Sequence, residues 1–156
     1  MTRTDLVRTA SQIPPFPPET AKEFEMKREA IVSEMNALML ARDDVDALVG
    51  ANNREMMQDN HANKSRFIHA MLVRFDPEEL VDTVLWVFRA YRAHGFKDAY
   101  WSAALNTWLA VLGRKLSPEV YSNILPLFDW MIINIPHFVG ITNDDMEEKS
   151  IDTVAK

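Results

Sequence analysis

Four histidines, His61, His69, His94 and His137, are the side chains best suited to hold a metal, ligate haem or move a proton near neutral pH. No two of them stand at ligand spacing on an evident helix. His61 lies in the polar run Asp59-Asn60-His61-Ala62-Asn63-Lys64 and has the least obvious structural reason to be there. His69 reads as a polar residue beside an apolar helical face. His94 reads as a helix-end residue next to Gly95, where the helix dipole favours it. His137 reads as a loop residue behind Pro136. The acids offer less. Asp76, Glu78 and Glu79 surround Pro77 at a helix start, and capping explains them; others gather near the C-terminus, at Asp144, Asp145, Glu147 and Glu148. Cysteine is absent, which excludes disulfides, thiolate metal sites, iron–sulfur clusters and cysteine nucleophiles. There is no Gly-rich phosphate loop, nucleophile elbow or two-histidine zinc motif. With no nucleophile–base arrangement, these residues point away from an enzyme, and no cofactor is expected from them.

The elements that carry these residues are helical. The chain has 156 residues, four of them glycine, against nine methionines, eight phenylalanines and four tryptophans. An all-β fold needs more glycine-bearing turns than this. A hydrophobic share of 47% with 26% charged residues fits one folded domain. A net charge of −6 argues against general binding to nucleic acid or an anionic membrane. No apolar run reaches the ~18 residues of a membrane span, and the first residues lack a signal-peptide core. A soluble, cytoplasmic protein is expected.

Periodicity and caps divide the chain into a flexible Pro-rich arm over 1–18, a helical domain over 19–140 and a solvated acidic tail over 141–156. The arm is inferred from Ile13-Pro14-Pro15-Phe16-Pro17-Pro18, which favours extended backbone. The spacing predicts about six helices: from Glu19 to Ala41; a short one capped by Asp43 or Asp44 and ended by Gly50; one over Asn52–Arg74 with a break in its polar middle; one opening at Asp76-Pro77-Glu78-Glu79; one over Asp98–Leu112, stopped near Gly113; and one from Ser117-Pro118 to Asn134, kinked at Pro126 and ended by Pro136. The last two are apolar nearly all round, where a helix of a small domain keeps one polar face. That excess means either a central helix or a subunit interface, and with only six helices it predicts a homodimer through Trp101, Trp108, Leu127, Trp130 and Met131.

The stretch from Asn52 to Asn134 resembles the second half of a globin. Phe88-Arg89-Ala90-Tyr91-Arg92-Ala93-His94-Gly95-Phe96 carries the similarity, followed by Lys97-Asp98-Ala99-Tyr100-Trp101 through Val111-Leu112 and the helix from Ser117. Tyr91 stands where a haem-binding globin has its proximal histidine. This combination resembles the non-haem globin sensor domains of bacteria: the N-terminal domains of stressosome sensors and the stand-alone sporulation-inhibitory sensor domains. The resemblance implies an all-α, globin-like fold, a dimer through the last two helices, signalling to a downstream protein through contacts, and no haem. The stand-alone kind further implies a pocket for a small apolar, fatty-acid-like ligand, for which Phe67, Met71, Leu85, Phe88, Tyr91 and Leu105 are the candidate lining. Two alternatives stay open. One is a haem-type gas or redox sensor using Tyr91 or His94, with His61 or His69 opposite, since tyrosine can ligate haem iron. The other is a helical adaptor with a filled core and no ligand.

Overall fold

Helices start in this chain where an N-cap or proline is encoded, and most of the expected starts appear. The computed structural model describes the backbone of residues 1–155 and the side chains of residues 1–145. Among the described residues there are eight helices and no strand: α1 (Arg3–Ala10), α2 (Pro18–Leu40), α3 (Val45–Val49), α4 (Arg54–Val73), α5 (Pro77–Ala93), α6 (Asp98–Lys115), α7 (Pro118–Ile133) and α8 (Ile135–Ala155). The two beyond the expected set are α1 and α8.

Asp76 caps α5 by accepting from the backbone N–H groups of Glu78 and Glu79, although Glu79 does not reach back to complete a box. Ser117 caps α7 by accepting from Val120 N–H, with Pro118 at the first position. Asp44 precedes α3 but pairs with Arg42 rather than capping. The end of α5 is a Schellman motif: Phe96 N–H donates to Tyr91 C=O and Gly95 N–H to Arg92 C=O. Gly95 takes φ +102°, which a side chain would resist. The same corner is stitched to the α3–α4 loop. Asn53 Nδ2 donates to Val49 O at 2.8 Å and His94 O at 2.7 Å, and Lys97 N–H donates to Leu48 O. These bonds fix where α6 leaves the corner.

In the packing, α2 lies on α4 and α6, α1 on α5, α6 on α7, and α5 on α8. The core gathers large side chains from every element, among them Phe24, Met35, Met57, Ile68, Tyr100, Trp108, Phe128 and Phe138, all essentially without solvent contact. Neither α5 nor α6 packs closely on α4, and that gap becomes important below.

Several expectations are corrected. Residues 1–18 are not a flexible arm. Thr2 and Asp5 form a reciprocal capping box that opens α1. Leu6 and Ala10 are fully buried, Arg3 makes a two-toothed ion pair with Asp82 of α5, and Trp130 Nε1 donates to Thr9 Oγ1. Phe16, amid the prolines, meets Phe75 edge-to-face. The break expected in α4 is absent, because Asn60 and His61 are buried with partners instead of being exposed at a bend. Gly113 does not stop α6; it lies against the Tyr121 ring, and the helix continues to Lys115. Pro136 does not end the helical chain: after a bend of 46° at Asn134 it sits in the first turn of α8. That helix carries the chain past residue 141, with Thr142 buried and Asp145 paired to Arg89 at 2.7 Å; Glu147 and Glu148 of the expected tail lie outside the described side chains.

The dimer face is the largest correction. Trp101, Trp108, Leu127, Trp130 and Met131 are all buried within the single chain. The tail end of the apolar sequence is absorbed by the chain's own core, because α1 and α8 supply the covering that a six-helix count lacked. Among the described residues no single helix is long and apolar enough to cross a membrane.

Candidate functional site

Helix α4 presents buried polar groups on two faces. Toward α2 and α6 stands His61, fully buried. Its Nδ1 lies 2.7 Å from Asn36 Oδ1, so Nδ1 carries the proton and donates. Its Nε2 lies 3.5 Å from the Tyr100 hydroxyl, which donates to Asn60 Oδ1 at 2.9 Å. Burial, helped by the charge of Lys64, pulls His61 down to about 4, so the ring is neutral at pH 7. Burial pushes the Tyr100 hydroxyl up, away from ionisation. Trp108 closes this face, edge-to-face with His61, its Nε1 lacking a partner among the described residues.

Toward α5 and α6 the packing opens. A cavity of about 230 Å³ lies in the gap left between α4 and its neighbours, with α7 and α8 closing it. Phe67 of α4, Val84, Val87, Phe88 and Tyr91 of α5, Trp101 and Leu105 of α6, Met131 of α7 and Phe138 of α8 make an apolar, ring-rich wall. Phe88 stacks on Trp101 with centroids 4.4 Å apart and meets Phe138 edge-to-face. Trp86, 64% exposed, belongs both to the cavity rim and to the outer surface.

The polar lining is supplied by Asn60, Asn63, Lys64 and Thr83. Asn60 Oδ1 is occupied by Tyr100 and Asn63 Oδ1 accepts from Arg66. Lys64 is half-buried, its ammonium 5.5 Å from the centre of the Phe128 ring. No carboxylate pairs with it among the described residues, and burial pulls it down to about 7. Trp101 Nε1 is buried without a partner among the described residues.

Of the six candidate pocket residues, the structure brings Phe67, Phe88, Tyr91 and Leu105 to the cavity; Met71 and Leu85 are core residues that do not line it. Trp101 and Met131, expected at an interface, line it instead. Of the alternative iron ligands only Tyr91 reaches the cavity. His61 is committed to Asn36, His69 lies 3.7 Å from Glu25 on the far side of α4, and His94 is the exposed cap of α5. No group of three or more acids or histidines suited to a metal ion occurs among the described residues. Asn60 and Lys64 were legible only as a polar interruption. Their signal is spacing: 60, 64 and 67 share one helical face, so the polar pair continues the stripe of Phe67. No family model matches the chain, and no curated protein or solved structure matches it either.

Proposed function

We propose that the chain is a non-catalytic, haem-free sensor or regulatory module with a globin-like helix arrangement, which takes a small apolar ligand and signals through protein contacts. The observation that carries this reading is the ring-lined cavity between α4, α5 and α6. The space opens to the surface at Trp86 and Asn63 and is left unfilled by the chain, as a ligand cleft is, and an apolar cavity of about 150 Å³ is enough to take up benzene. Support for the globin-like arrangement is positional, since Tyr91, at the place of a proximal ligand, lines the cavity. Trp86 offers the link outward, being in contact with both cavity and surface.

The test is ligand-induced stabilisation, which follows from binding to the folded state alone. Saturating 4-phenylbutan-1-ol, a neutral apolar probe, raises the thermal midpoint of the purified chain, and Leu105→Trp, which fills the cavity, abolishes the rise. Absence of any shift with neutral or acidic probes sinks the reading. Haem added to the purified chain gives no Soret band; a sharp band lost in Tyr91→Phe would favour the haem alternative instead.

A further inference from the structure

We infer that the cavity is a site for a small aromatic monocarboxylate, its ring among Phe88, Trp101 and Leu105 and its carboxylate against Lys64 and Asn60. This rests on the cavity being a ligand site, and adds the chemical class of the ligand. The argument is an inventory of donors and acceptors. Asn60 Oδ1 already accepts from Tyr100 and Asn63 Oδ1 from Arg66, while neither amide NH2 donates to another of the described residues. Lys64, in its charged form, offers N–H only. Among the described residues no acid lines the cavity. Thr83 and Tyr91 add hydroxyls that can donate or accept, so an acceptor satisfies the whole set, and the lysine makes a negative one better, since charge-assisted hydrogen bonds are the stronger kind.

One cation sets the charge at one. A doubly charged phosphate would leave a charge uncompensated in an apolar setting, which is costly. A lysine held down near neutrality has no counter-charge of its own, as expected of a group whose partner comes from outside. Size and wall chemistry set the body. At about 230 Å³ the space exceeds the ~150 Å³ that takes up benzene by room for a short linker. The wall is mostly rings, and rings favour offset or edge-on contact with another ring. A long acyl chain exceeds this space.

Calorimetric titration of the full chain with 4-phenylbutyrate, 4-phenylbutan-1-ol and dodecanoate tests this. The acid binds about tenfold or more tighter than the alcohol, the scale of a hydrogen bond to a charged group. Lys64→Met erases that preference while still binding the alcohol, and Lys64→Arg retains it. Circular dichroism shows both variants folded, since methionine keeps the apolar stem. Equal affinity for acid and alcohol in the natural chain overturns the head-group assignment and leaves the apolar site standing. Dodecanoate binding more tightly than 4-phenylbutyrate overturns the aromatic class. Binding of none of the three overturns this inference together with the ligand-site reading.

Discussion

On the α2–α6 side of α4, His61 is enclosed by Asn36, Tyr100 and Trp108, and its ring nitrogens face protein atoms. One turn further along, on the α5 side, Lys64 faces rings and a void, with no acid beside it among the described residues. Asn60 joins the two, giving its oxygen to the first and its amide to the second. The same polar run thus serves two ends. In the His61–Asn36 and Tyr100–Asn60 pairs donors meet acceptors, so their burial costs little and the network fixes helix positions, the unpaired Trp108 Nε1 beside them being the exception among the described residues. Where donors outnumber acceptors, the protein carries an unsatisfied cost that a bound molecule relieves. Buried polarity by itself therefore says little about function; its balance says more.

The comparison is broken most directly by removing a ring from each side. Trp108→Ala, on the filled side, costs about 3–5 kcal/mol, as for a large ring removed from a packed core. Phe67→Ala, already bordering the void, costs about 1 kcal/mol, close to an ordinary substitution. Urea unfolding of the two variants measures the difference; equal costs would mean that the void is closed in solution.

Acid sharpens the filled side. His61 is held near 4 when folded and titrates near 6.5 when unfolded. Between those values the unfolded chain binds the extra proton, so stability falls as pH is lowered from 6.5 to 4, by about 2–3 kcal/mol in all. His61→Gln flattens that window in urea midpoints taken at half-unit steps. An unchanged slope would place the acid sensitivity elsewhere.

Tyr100→Phe comes next. It leaves Asn60 Oδ1 buried without a donor and costs about 1–2 kcal/mol. Because Asn60 faces both sides, the same variant frees an acceptor near the cavity and weakens binding of an acid relative to an alcohol. Titration of the variant with both probes reads this coupling.

How far the sequence foretold these features follows from the range of the forces involved. Helix starts at Asp76 and Ser117 were legible because a cap is a contact over three residues. The Thr2–Asp5 box was legible by the same rule, yet the proline run behind it made the whole segment look like an arm. Tertiary packing of Leu6 and Ala10 on α5 decided otherwise. The apolar surplus of α6 and α7 was read correctly as needing cover and assigned to the wrong cover, because the periodicity of a helix does not say which helix it meets. At the site, rings such as Phe67 and Phe88 announced themselves by stripe. Lys64 did not: its meaning depends on the absence of an acid from four other helices, which local sequence cannot express.

The smallest expected effect concerns that lysine. Its folded value is about 7 and its unfolded value 10.5. Across that interval the unfolded chain holds the proton more tightly, so stability rises with pH, and below 7 the cost of burying the charge is present in full. Lys64→Met removes the cost and keeps the stem; the linkage limit for that shift is several kcal/mol, but loss of the ammonium–ring contact with Phe128 and of the amine's partial access to solvent offsets most of it, so the variant is more stable than the natural chain at pH 6.5 by on the order of 1 kcal/mol. The gain narrows as pH is raised to 9.5. The upward push on Tyr100 acts in both chains and cancels in the difference. Saturating 4-phenylbutyrate at pH 6.5 abolishes the gap from the other direction, by supplying the missing charge to the natural chain. A variant that is less stable than the natural chain at pH 6.5 would mean that Lys64 already has its counter-charge in the free protein, and the contrast between the two faces of α4 would disappear.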